Sequence, residues 1–176
     1  NEMFCDGNGT LLELMQNFGL PESKRWPTGF SSLASTLVHL PKCNNILLVH
    51  NTFSTQEDVD WALAYSDRIW WCLCPKANLY IEDRLPDVNM LAASVSGRMV
   101  IGTDSYASNT SLSVLEEMKV LSANFPAITL QELLTWATKN GADFFGWKEL
   151  GTLEKGKKPG VNLISGLEGG ERLNQN

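Results

Sequence analysis

Three short apolar runs, each closed by a cluster of polar residues, organise the middle of the chain. The first is Asn45 to Val49 (NILLV), bounded by Pro41 and Asn44 before it and by His50, Asn51 and Thr52 after it. The second is Ile69 to Leu73 (IWWCL), which ends at Cys74-Pro75 with polar Lys76 and Asn78 beyond. The third is Met99 to Ile101 (MVI), ending at Gly102-Thr103-Asp104-Ser105. Branched apolar runs of this length read as strands buried on both faces.

Helical patterns separate the runs. Thr55 can cap a helix from Gln56 to Ser66, with Glu57 and Asp58 in the first turn where the helix dipole favours negative charge. A second helix is predicted from Asp87 to Ser96, stopped by Gly97, and a third from Leu112 to Ala123 with Leu115, Met118, Val120 and Leu121 on a largely helical spacing. Strands alternating with helices at this interval imply a parallel sheet with crossover helices. Outside this region, Thr10 to Phe18 and Ser31 to Leu40 read as helices. So does Thr129 to Asn140, with Thr129 as N-cap, Glu132 at the third position and Gly141 as the stop. From Gly151 the chain becomes glycine-rich and basic, and Val161 to Ile164 is a short strand candidate.

This alternation bears on function because each predicted strand carries its polar residues just past its C-terminal end. In a (β/α) barrel, active sites are built on that face, and open doubly wound sheets bind ligands there too. A flavodoxin-like open sheet would need a phosphate-binding loop, and no Gly-x-Gly-x-x-Gly or P-loop pattern is present. His50 is one of 2 histidines and follows a strand that would hold it rigidly, though a histidine capping a loop carbonyl would occupy the same place. His39, late in a predicted helix before Pro41, needs only a dipole or surface role. Asp104 ends a buried strand, where a carboxylate must find a cation, a donor or water. A turn-forming Asp aided by Ser105, Ser108 and Asn109 is the structural alternative.

Composition narrows the partners. The 176 residues are 43% hydrophobic with 6 Trp and 7 Phe, enough apolar material for a packed core. A net charge of -6 argues against a nucleic-acid backbone as partner. No apolar run approaches the roughly 20 residues that span a bilayer, and no signal peptide is visible. Cys5, Cys43, Cys72 and Cys74 lack the spacing of a disulfide framework, which points to a reducing compartment, the cytoplasm. Cys72 and Cys74 read as small strand residues; a metal-binding Cys-x-Cys would want a second pair nearby.

Taken in order, LLVHNTF, WCLCPKANLYI and MVIGTDSYASNTSLSVLEEM resemble the latter half of the amidohydrolase superfamily. The branch is that of aminohydrolases and chlorohydrolases, which includes cytosine, guanine and adenosine-type deaminases. The resemblance covers roughly Ile46 to Ile164 and is most specific at Gly-Thr-Asp-Ser-x-x-Ser-Asn. It implies an α/β fold forming the C-terminal half of a (β/α)8 TIM-type barrel over residues 1–150, then a return segment toward a small β-sandwich over 151–176. It implies that His50, on the sixth barrel strand, contacts metal-bound water and substrate. Pro75 and Asn78 would shape the pocket after the seventh strand, with Asn78 and Ser108 touching substrate. Asp104, on the eighth, would bind a divalent metal, zinc or alternatively iron, and shuttle a proton.

The resemblance therefore implies a metal-dependent hydrolase acting on C–N bonds of a small N-heterocyclic molecule. The family's His-x-His pair and its fifth-strand histidine and glutamate have no counterpart here, Glu2 and Glu13 included, and Lys158-Pro159-Gly160-Val161-Asn162 stands where Ala-Asp is usual. The expectation that follows is a part of a longer enzyme, inactive by itself and paired with the N-terminal half of the barrel or a second copy. A non-catalytic binding or assembly protein on the same scaffold is the alternative, separable by whether upstream sequence carries the missing histidines.

Overall fold

In the computed structural model, residues 1–20, 27–95, 97–165, 167–168 and 172–173 are described. The chain divides into two compact units, residues 1–44 with 53–68, and residues 45–52 with 69–176.

The first unit is helical: α1 (Glu2–Cys5), α2 (Thr10–Asn17), α3 (Ser32–Leu37) and α4 (Gln56–Tyr65). Thr55 caps α4 as predicted, and Asp58 completes a capping box by accepting from the Thr55 backbone N–H at 3.0 Å. The same Asp58 accepts from the Ser31 hydroxyl, so one carboxylate ties the N-termini of α3 and α4 together. Helix α3 is shorter than predicted. His39 and Leu40 bond back three residues, to Thr36 and Leu37, which tightens the chain into 3₁₀-like turns before Pro41 and leaves His39 beyond the helix. At the far end of α4, Tyr65 donates to the Leu40 carbonyl at 2.6 Å, stacks on Trp61 and receives the Lys42 ammonium on its ring.

The second unit holds three parallel strands, β1 (Ile46–Val49), β2 (Ile69–Leu73) and β3 (Met99–Ile101), in the order β1-β2-β3. β2 lies between the other two, and Ile69, Trp71, Cys72 and Leu73 are buried, as are Met99 and Val100. β1 departs from the prediction of two buried faces: Val49 is exposed and Leu47 and Leu48 are half-buried, because β1 is an edge of this sheet. Trp70, Cys72, Val100 and Leu47 share one apolar cluster with Cys74 and Ala77.

Five helices complete this unit: α5 (Pro75–Glu82), α6 (Val88–Ser94), α7 (Val114–Asn124), α8 (Leu130–Ala137) and α9 (Lys139–Phe145). The sequence pattern predicts no helix directly after the second strand, yet Pro75 occupies the first position of α5, where its missing N–H costs nothing. α6 ends at Ser94, and Ser96, the last residue predicted for it, falls outside the described residues. Ser113 caps α7, which leaves Leu112 outside the helix and exposed.

The single helix predicted from Thr129 to Asn140 is two. The Thr129 cap and its Glu132 box are present, yet Thr138, at φ -131 and ψ -78, interrupts the helix and α9 begins afresh. Gly141 therefore lies inside α9, and Gly146, in the left-handed conformation, ends it. Buried Asn140 donates to the Met99 carbonyl at 2.7 Å, fastening α9 to β3. Val161 to Ile164 forms no strand: Val161 and Leu163 are exposed and without ladder partners. Beyond it, β4 (Leu167–Glu168) pairs antiparallel with β5 (Arg172–Leu173).

Candidate active site at the strand ends

The parallel ladder decides where the polar residues emerge. His50 N–H still donates to the Cys72 carbonyl at 3.0 Å, so the β1 ladder runs one residue past Val49. The chain then turns sharply, with His50 at φ 71 and Asn51 at φ 59. Left-handed backbone is accessible to His, Asn and Asp more readily than to branched residues. Buried Asn51 holds this turn by donating from Nδ2 to the carbonyls of Leu48 at 3.0 Å and Cys72 at 3.3 Å.

The end of β3 behaves in the same way. Gly102 N–H donates to the Leu73 carbonyl at 2.9 Å, and Asp104 sits at φ 56. Gly102 is closely packed: a Cβ there would meet Cys72 Sγ at 3.0 Å and Cys74 Sγ at 3.3 Å. The two thiols lie 4.0 Å apart, with Cys74 raised by its hydrogen bond with Cys72 and by burial.

The two turns bring His50 Nε2 to 3.8 Å from Asp104 Oδ2, with the side chains 35% and 34% exposed. The pair is an ion pair only when the imidazole is protonated. Ser108 Oγ donates to the same Asp104 oxygen at 2.5 Å. Asn78 is 1% exposed, on the first turns of α5, and meets the site from below: its Nδ2 donates to the His50 carbonyl at 3.4 Å and to the Thr52 hydroxyl. Its Oδ1 is buried without a hydrogen-bond partner. Thus His50, Asp104 and Ser108 gather directly, and Asn78 supports His50 through the backbone.

Sequence reading missed Glu117. It is fully buried on α7, where it accepts from Lys76 N–H at 2.8 Å and from Asn109 Nδ2 at 2.6 Å. Burial pushes its carboxyl above the ordinary glutamate value, opposed by those two bonds and by the Lys76 charge. A signal was available: Glu117 stands three residues after Val114 and four before Leu121, spacings that put it on the apolar stripe of the helix.

An imidazole and a carboxylate about a third exposed are suitable donors for zinc or iron. They are two donors, however, against the roughly three protein ligands that a catalytic metal needs. Among the described residues no group of three or more His, Cys, Asp or Glu side chains could hold an ion.

Parallel strands whose C-terminal ends gather such groups are the working face of a (β/α) enzyme scaffold. The sequence profile of the amidohydrolase family matches residues 7–172, and the chain belongs to that family. It is 33% identical over 128 residues to a 5-methylthioadenosine/S-adenosylhomocysteine deaminase of Moorella thermoacetica, a match covering 68% of this chain and 29% of that protein. In fold it is similar to Helicobacter pylori aminofutalosine deaminase in complex with methylthio-coformycin, with a TM-score of 0.72, 22% identity, and coverage of 93% of this chain and 41% of the other. It is also similar to an adenosine deaminase from Xanthomonas campestris with bound zinc, with a TM-score of 0.56, 24% identity, and coverage of 65% and 27%. The chain spans less than a third of the curated relative's length.

Proposed function

We propose that the protein to which this chain contributes is a metal-dependent hydrolase that deaminates a small N-heterocyclic substrate, with His50 and Asp104 as catalytic residues. The observation that carries this reading is the 3.8 Å approach of His50 to Asp104 beyond the C-terminal ends of the two strands that flank β2, in a member of the amidohydrolase family. The deaminase names of the relatives support C–N hydrolysis and favour an adenine-type ring.

Asp104 would hold the metal, zinc in preference to iron, through its carboxylate. Such an ion, when bound, supplies water acidified to near neutral pH. Asp104 would take up a proton and return it to the departing nitrogen. The Ser108 bond to Oδ2 fixes the orientation of that carboxylate. His50 Nε2 would donate to oxygen charge developing on the attacked carbon. Ser108 and Asn78 would bind substrate, the nearly fully buried Asn78 through the His50 carbonyl and Thr52 hydroxyl that it holds.

The three strands would form part of a (β/α)8 barrel over residues 1–150, with 151–176 leading into a small β-sandwich. Either further strands of the same protein or a second copy would cover the open edges of β1 and β3. Four free cysteines support a reducing, cytoplasmic setting, and no helix among the described residues is long and apolar enough to cross a membrane.

Ammonia release from adenine nucleosides by the intact protein tests the reading. Asp104→Asn should lower kcat by about a hundredfold or more, the scale of a lost proton-transfer group. Turnover by Asp104→Asn at the wild-type rate would overturn it.

A further inference from the structure

Helix α5 has an N-terminus that its own sequence leaves unfinished. Its N-cap, Cys74, makes no side-chain capping bond, and Pro75 follows at the first position, so Lys76 presents the first free N–H. Glu117 Oε2, reaching over from α7, accepts that N–H. Its other oxygen accepts from Asn109 Nδ2, and the same Asn109 amide group also donates to the Thr103 carbonyl at 2.7 Å. Asn109 Oδ1 accepts from Ser111 N–H at 3.1 Å, and Ser111 Oγ accepts from Lys76 Nζ at 2.7 Å. Both amide hydrogens of Asn109 and both oxygens of Glu117 are engaged. The chain from Thr103 to Ser111 is thereby folded around one buried side chain and bolted to the start of α5.

The Thr103 carbonyl belongs to the peptide group that carries the Asp104 N–H. Asn109 holds that peptide by its oxygen. Held by that oxygen, the peptide plane sets the direction in which Asp104 leaves the backbone.

We propose that Glu117 is a positioning residue that sets the orientation of Asp104 by clamping the Thr103–Asn109 loop to the first turn of α5. The proposal rests on the reading of Asp104 as the catalytic carboxylate. Glu117 touches neither Asp104 nor solvent, so its effect passes through Asn109 and the Thr103 peptide. A glutamine in its place offers one oxygen and one NH₂ group, so either Lys76 N–H or Asn109 Nδ2 must face another donor.

The test compares wild type, Glu117→Gln and Asn109→Ala in the intact protein, by amide hydrogen exchange and by steady-state ammonia release from adenine nucleosides. Both variants should speed exchange at residues 103–109 by about tenfold or more while leaving the amides of β2 and β3 unchanged. They should also lower kcat by about tenfold with KM within about threefold, since orientation of a catalytic group acts on the chemical step. Exchange that rises equally in the loop, β2 and β3 would reduce Glu117 to a fold-stabilising residue and overturn the proposal. Unaltered loop exchange, or a faster loop with kcat unchanged, would overturn it as well. A wild-type protein that releases no ammonia overturns the hydrolase reading instead, and the exchange contrast, which needs no turnover, then decides whether the clamp exists.

Discussion

Replacing Gly102 by alanine probes the contact between the ends of β2 and β3 at the level of single atoms. The new Cβ would stand 3.0 Å from Cys72 Sγ and 3.3 Å from Cys74 Sγ. Both distances fall short of the roughly 3.5–4.0 Å at which non-bonded heavy atoms attract best. Relief must come from the two sulfurs or from β3, because Cys72 and Cys74 are buried and Gly102 N–H is committed to the Leu73 carbonyl. Overpacking of this kind costs about 1–3 kcal/mol, or roughly 2–12 °C in Tm for a chain of this size. The identity of the opposing atom makes the reasoning testable. Cys72→Ala alone should cost about 1 kcal/mol. Combined with Gly102→Ala it removes the nearest clash, so the double variant should be more stable than the sum of the singles by about 1 kcal/mol or more. Urea unfolding followed by circular dichroism, with slopes compared to verify a common unfolded state, measures all four corners of the cycle. Additivity within about 0.5 kcal/mol, or a Gly102→Ala cost below that, would refute the claim that sulfur contact makes a side chain costly there.

Two further outcomes follow from the charged groups. Burial holds the Glu117 carboxyl above its ordinary value of 4.5, so the folded protein binds that proton more tightly than the unfolded chain. Its contribution is therefore full below that value and lost as pH rises through the elevated one; Glu117→Gln should remove this part of the slope, and parallel stability–pH profiles for variant and wild type would contradict it. Residues 1–176 by themselves should retain less than stoichiometric zinc after desalting, because His50 and Asp104 offer only two donors; elemental analysis finding one tightly held zinc per chain would contradict this.

The sheet was legible because its signal is local. IWWCL and MVI are strands at the predicted residues, and β1 differs only at Asn45, whose side chain instead donates to the Phe144 carbonyl. The strand ends were legible for the same reason, since a polar cluster after an apolar run has to emerge at one edge. What failed was punctuation. Pro75 and Gly141 are ordinary breakers, but proline at a first helical position and glycine within a restarted helix act otherwise. Thr138 does break its helix, and its hydroxyl bonds to the Leu134 carbonyl, a competition that residue type alone does not announce. Glu117 escaped because a glutamate beside Glu116 on a helix reads as a solvated face. Its burial depends on Lys76 and Asn109, partners that only the folded chain brings together.

The left-handed backbone at His50, Asn51 and Asp104 changes how tolerance to substitution should be interpreted at these positions. A branched or bulky side chain would be rejected there for conformational reasons before any reaction is considered, and the tolerated alphabet shrinks toward Gly, Asn, Asp and His. Purifying selection for foldability and selection for turnover would thus leave overlapping marks at His50 and Asp104. Intolerance in a mutational scan at either position would not by itself identify chemistry. The two pressures separate only within the permitted alphabet: Gly keeps the turn and discards the functional group, whereas Asn at 104 keeps the turn and the shape but not the charge. Asn51, which shares the turn and makes only backbone bonds, is the natural control for how much restriction geometry alone imposes.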